Sequence, residues 1–154
     1  MDAASRTLVM RMAPTSALLI RRSLRERITF VALVLVTIAV GLAVHWHGTM
    51  FPPAVRDVLA DALWAMMIGW SLGALRPDAR IGVRAALALG ICWAVECSQL
   101  YHAAALDNWR RTAVGHLVLG SDFSVRDLGA YALGVLAVVL LEAAVRRRRG
   151  LPGA

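Results

Sequence analysis

VRAALALGICWAVECSQLY, residues 83–101, decides how this chain is read. The stretch has the length and apolarity of a bilayer-crossing helix, which needs about 20 largely apolar residues. Yet it carries Glu96 and, three positions on, Gln99. A carboxylate in hydrocarbon costs about 2.5 kcal/mol or more, so it must face a protein interior or a wet cavity and find a partner there. The stretch therefore predicts a packed bundle of helices, not an isolated anchor.

Working outward, three more segments fit the same description. The 154-residue chain is 59% hydrophobic, where soluble domains hold roughly 45–50%, and its mean hydropathy is +0.64. Ile28–Trp46 is unbroken by charge, Val58–Leu75 contains Asp61, and Asp127–Val145 holds Glu142 near its end. The third span, Ile81–Tyr101, has Arg84 near its start and Glu96 near its end. The links between spans are short, so neighbours should run antiparallel. The predicted fold is all-α: a four-helix polytopic transmembrane bundle over residues 28–145, with basic tails at 1–27 and 146–154. Between the third and fourth spans, VGHLVLGSDF at Val114–Phe123 is apolar with glycines at both ends of its core. It is predicted to be a re-entrant or interfacial loop, since irregular backbone at membrane depth must be shielded from lipid.

Charge sets orientation. The net charge is +7 and all 17 basic residues are Arg. Thirteen lie on one side: six in the N-terminal tail, Arg76, Arg80 and Arg84 around the second link, and Arg146 to Arg149. Arg56, Arg110, Arg111 and Arg126 lie on the other. The positive-inside rule then puts both termini in the cytoplasm of a multi-pass inner (plasma) membrane protein. No basic face interleaved with aromatics exists, which argues against nucleic-acid binding; the Arg clusters read as topology signals and lipid-headgroup contacts. No small-residue cleavage site follows the first apolar run, so no removed signal peptide is expected. Residues 1–20 read as a tail, or as a start placed too early with Met10 or Met12 the true initiator. Cys92 and Cys97 sit five apart on one helix and point about 140° apart, so they cannot bridge each other. No zinc-ligand spacing and no cofactor motif are present, and neither a metal nor a cofactor is expected.

Two stripes of small residues stand out. Ala65, Gly69 and Gly73 recur every four residues on the second span, and Ala86, Gly90, Ala94 and Ser98 on the third. Small residues at that spacing let helix backbones approach closely in lipid. Both stripes are expected to face neighbouring helices, with homodimerisation as the alternative. The polar positions lie elsewhere. Cys92, Glu96 and Gln99 share a face of the third span, Asp127, Tyr131 and Gly134 a face of the fourth, and Asp57, Asp61 and Trp64 a face of the second. With both termini inside, Asp61, Glu96, Gln99, Arg110, His116 and Asp127 should converge near the outer leaflet, with His45 and His47 at the same level. Glu96 would lie roughly 8 Å below that surface. The plainest role for Glu96 is an ion pair with Arg110 that holds the loop on the bundle. Asp127 reads as a helix cap, His116 as a hydrogen-bond donor, and Trp46 and Trp109 as interfacial anchors.

These residues carry a resemblance. DALWAMM at Asp61–Met67, ECSQLY at Glu96–Tyr101 and RRTAVGHLVLGSDFSVRDLGAYALG at Arg110–Gly134 resemble an uncharacterised bacterial membrane family, domain-of-unknown-function family 2809. More distantly the pattern is similar to the VanZ-like family. That group has a Glu-x-x-Gln on one helix, an Arg in the following loop, and an Asp and a Gly on the last helix; here these fall on Glu96, Gln99, Arg110, Asp127 and Gly134. The chain departs from the VanZ-like pattern at Tyr131, where Asn is commoner. The resemblance covers about residues 28–145 and implies the fold and the location of a site, with no activity attached.

Three functions are compatible with these residues. One is a structural or assembly factor of the cell envelope, in which the polar groups lock helices together and the partners are lipids, a second copy or another membrane protein. Another is a binder of an anionic lipid or prenyl-linked cell-wall precursor, its candidate contacts Asp61, Glu96, Gln99, Arg110, His116, Asp127 and Tyr131, because Arg matches phosphate bidentately. The third is an intramembrane enzyme in which Glu96 and His116 move a proton, with Cys97 or Ser98 as nucleophile by elimination. Without a clear nucleophile or metal set, an enzyme is the less favoured reading. A channel or transporter is disfavoured too, because no charged path crosses the bilayer.

Overall fold

A computed structural model describes residues 3–47, 50–112, 114–115, 120 and 122–148, with side chains from residue 21 onward. These residues form five helices: α1 (Ala3–His47), α2 (Pro53–Leu75), α3 (Ile81–Ser98), α4 (Ala104–Arg110) and α5 (Val125–Arg148). All but α4 are long and apolar enough to cross a membrane. The all-α, four-span architecture read from the sequence is the one found. Two features were not foreseen: the short helix α4, and the continuity of the first span with its N-terminal flank, since α1 starts at Ala3 and its apolar section at Arg21. Half of the expected re-entrant turn at Val114–Phe123, residues 116–119 and 121, falls outside the described residues.

Helix ends follow local chemistry. Pro53 opens α2, its fixed φ preset for a first turn that needs no N–H donor. The helix stops at Leu75 because Arg76 precedes Pro77, and a residue before proline is pushed out of the helical region; Arg76 has φ −133° and ψ 70°. Hydroxyls inside the spans are satisfied locally: Thr37 donates to the Leu33 carbonyl at 2.8 Å and Ser71 to that of Met67 at 2.7 Å. With no water in the bilayer core, such back-bonding is what makes a hydroxyl tolerable there.

Helix α2 is the hub, packing against α1, α3 and α5, while α3 and α5 also pack on each other. Its small stripe is buried as expected at Ala65, Gly69 and Gly73. Gly69 receives Val138 of α5, and Gly73 receives both the Phe30 ring of α1 and the Arg84 guanidinium of α3. Helices α2 and α5 approach closely where Gly134 lies against the Ala62 carbonyl. Two apolar clusters fill the interior: Ala65, Ala88, Cys92, Tyr131 and Val135 in one, Phe30, Trp70 and Val138 in the other.

The stripe on α3 behaves differently. Ala86, Gly90 and Ala94 are exposed, and nothing lies within 4 Å of a Cβ built on Gly90. The buried face of α3 is instead Arg84, Ala88, Cys92 and Glu96. The expectation that both stripes pack inside the chain is thus corrected for α3. Burying Arg84 and Glu96 against protein avoids the cost of facing lipid with a charged group, and that requirement turns the small residues outward.

Candidate functional site

The helix directions group the polar residues into two clusters at opposite ends of the bundle. Arg27 near the start of the apolar part of α1 donates to the Ala74 carbonyl at the end of α2, so those two helices are antiparallel. Arg126 at the start of α5 meets Asp57 at the start of α2, so α2 and α5 run parallel.

At the end where α3 stops and α5 begins, Glu96 is 0% exposed. Its Oε2 accepts from Gln99 Nε2 and from the Tyr131 hydroxyl, each at 3.1 Å. Its Oε1 accepts from the backbone N–H of Ser124 at 2.6 Å. One carboxylate therefore ties α3 to the side chain of α5 and to the segment leading into α5. Gly120 folds over this group: its φ is +64°, a conformation glycine adopts without strain, and a Cβ there would strike Gln99 Nε2. Asp61 on α2 lies within electrostatic reach of Asp127 on α5 and of Glu96, and also of Asp57 and Arg126. Asp61 is half-buried and makes no hydrogen bond or ion pair among the described residues. Asp127 Oδ1 is buried and faces Arg126 Nε at 3.7 Å, with no hydrogen bond among the described residues.

Asp61, Glu96, Gln99, Asp127 and Tyr131 are thus brought together, as the face assignments on three helices imply. Arg110 is not among them. Its Nη2 donates to the Ser98 carbonyl at 2.6 Å, and its Nη1 to the Tyr101 carbonyl and Asp107 Oδ1, both at 3.1 Å. The expected Glu96–Arg110 ion pair is therefore corrected: Arg110 closes the carbonyl end of α3, where the helix dipole favours a cation, and Glu96 is held by neutral donors. His116 lies outside the described residues. Neither nucleophile candidate engages Glu96, since Cys97 is exposed and Ser98 donates its hydroxyl to the Val95 carbonyl. Among the described residues no group of three His, Cys, Asp or Glu side chains is placed to hold a metal ion.

A second cluster, not singled out from the sequence, occupies the opposite end. Arg84 of α3 is 3% exposed and Glu142 of α5 is 8% exposed. Arg84 Nη2 donates to Glu142 Oε1 at 2.5 Å, and the same oxygen accepts from Arg146 Nη2 at 2.8 Å. The Arg84 guanidinium also lies 5.1 Å from the centre of the Phe30 ring. Opposite charges at the same end of two antiparallel neighbours were the available signal; Arg84 and Glu142 were both visible, but each lay near a span terminus where lone charges are common.

A protein-family profile described as "Protein of unknown function (DUF2809)" matches residues 50–135. That is more than half of the chain, and it takes in α2, α3, α4 and every residue of the Glu96 cluster. No solved structure matches. The chain belongs to the DUF2809 family.

Proposed function

We propose that this family member is a structural or assembly component of the bacterial cell envelope, a four-span bundle of the inner membrane with both termini in the cytoplasm. The observation that carries the reading is the state of Glu96: wholly buried and held by three donors that join α3 to the start of α5. Such a group fixes one helix arrangement. The Arg110 geometry supports the same reading, because the guanidinium proposed for a phosphate is occupied by the carbonyl end of its own neighbouring helix. The cytoplasmic placement of the termini rests on the Arg imbalance. Partners in this reading are lipids and other membrane proteins, a second copy included.

The test compares detergent-purified wild type, Glu96→Gln and Arg110→Gln by native mass spectrometry and by thermal unfolding. The structural reading expects lower stability in the variants with the same co-purifying species as the wild type. A specific anionic lipid present on the wild type and absent from a folded Arg110→Gln protein would overturn it.

A further inference from the structure

The Arg84 end of the bundle carries more positive charge than it neutralises. Arg84 and Arg146 both donate to one oxygen of Glu142, so two guanidiniums share a single carboxylate. Arg84 is enclosed, but the Arg146 side chain is 28% exposed and has N–H groups beyond the two that Glu142 takes. Arg80, about one turn before Arg84 on the same side of α3, is exposed. The sequence sets thirteen Arg at this end, in the two tails and the second link, against four acids: Asp2, Glu26, Asp78 and Glu142. Glu26 is already paired with Arg22 at 3.2 Å. A narrow, partly open crevice adjoins the pair between α3 and α5. Ala88 of α3 and Val135 of α5 line its inner part, with Gly69 of α2, and Arg84 and Glu142 line its charged end. The next cations outward on those two helix faces are Arg80, which precedes the lining residue Ile81, and Arg146.

We propose that Arg80 and Arg146 hold the phosphate of an anionic phospholipid of the phosphatidylglycerol type, whose acyl chain lies against the α3–α5 crevice. Guanidinium matches phosphate geometry bidentately, and both residues stand at the ends of membrane-spanning helices, where headgroups lie. The apolar walls that continue inward from the charged end favour a lipid over a phosphate free in solution. A zwitterionic lipid is the poorer match, because its ammonium brings further positive charge to an end that already holds an excess. Arg84 and Glu142 contribute by position: their pair closes the charged end of the crevice and directs Arg146 along α5. The inference stands apart from the structural reading of Glu96, which lies at the opposite end of the bundle.

The experiment places the full chain in nanodiscs of equal phosphatidylglycerol and phosphatidylcholine, matched in acyl chain. The protein is then released into detergent and its retained lipids are counted by native mass spectrometry. One Arg at an anionic headgroup is worth about fivefold in binding, so wild type should retain phosphatidylglycerol about 25-fold over phosphatidylcholine. Arg80→Gln and Arg146→Gln should each cut that ratio about fivefold, and the double variant should bring it to within about twofold of one. Arg25→Gln on α1, which does not line the crevice, and Arg110→Gln at the other end should leave it unchanged. Equal retention of the two lipids by wild type would overturn the proposal. So would an equal fall in Arg25→Gln, which would mean diffuse charge attraction, or in Arg110→Gln, which would place the lipid at the Glu96 end. Displacement of the retained lipid by millimolar glycerol phosphate would assign the guanidiniums to a soluble phosphate and overturn it too. If Arg146→Gln fails to fold, Arg80→Gln and the wild-type ratio decide the matter.

Discussion

Replacing Glu96 by Ala removes the acceptor for three donors at once: Ser124 N–H, Gln99 Nε2 and the Tyr131 hydroxyl. Side-chain hydrogen bonds between membrane helices average about 0.6 kcal/mol in double-mutant cycles, while a buried donor stranded without an acceptor costs about 1–3 kcal/mol. Three donors at these values place the loss between about 2 and 6 kcal/mol, allowing for partial relaxation. Glu96→Gln should cost far less, about 1 kcal/mol. Its carbonyl can still accept from Ser124 N–H, and its new amide N–H can donate to Gln99 Oε1, which has no partner among the described residues, once the Gln99 amide turns over. The assay is reversible unfolding in mixed micelles, titrating the denaturing detergent and following helicity and tryptophan fluorescence. The reasoning fails if Glu96→Ala unfolds within 0.5 kcal/mol of wild type, a threshold near the error for surface substitutions. It also fails if Gln is as damaging as Ala, because then negative charge, and not acceptor capacity, would be what the site uses.

Two further outcomes follow from the packing. Gly134→Ala sets a methyl against the Ala62 carbonyl and should cost about 1–3 kcal/mol by forcing α2 and α5 apart, whereas Gly90→Ala meets nothing and should be neutral or gain up to about 1 kcal/mol in the same titration; equal effects would mean that the α2–α5 contact is not close. Glu142→Met should lose about 3–5 kcal/mol by stranding the buried Arg84, Arg84→Met should lose less because Arg146 still holds Glu142, and the double variant should recover most of the Glu142→Met loss; additive losses in the double-mutant cycle would show that the pair does not interact.

The spans, their number and the joint location of Asp61, Glu96, Gln99, Asp127 and Tyr131 were legible because each rests on helical periodicity, and the helices are regular. The stripe on α2 was legible for the same reason. The stripe on α3 misled because Ala and Gly suit lipid and protein surroundings about equally, so Ala86, Gly90 and Ala94 do not reveal which side they face. Their orientation was fixed by the opposite face, where Arg84 and Glu96, twelve positions apart, cannot both be turned to lipid. Arg110 was misplaced because charge complementarity chose its partner without the geometry of α4. That helix brings the guanidinium to the open carbonyls of Ser98 and Tyr101 before it could reach Glu96. The Arg84–Glu142 pair needed the antiparallel pairing of α3 and α5 to be known first.

The position of α5 in the chain has a consequence for biosynthesis. Helix α3 enters the bilayer carrying Arg84 at one end and Glu96 at the other, and the partners of both, Glu142 at one end and Ser124 with Tyr131 at the other, arrive with the last span. Until α5 inserts, the nascent bundle holds two unmatched charges on its most polar helix and an open groove at Gly69 where Val138 will lie. Insertion of α5 is therefore the event that matches the charges of α3. A chain cut short before Val125 lacks Glu142 and Tyr131 and leaves Arg84 and Glu96 without those partners.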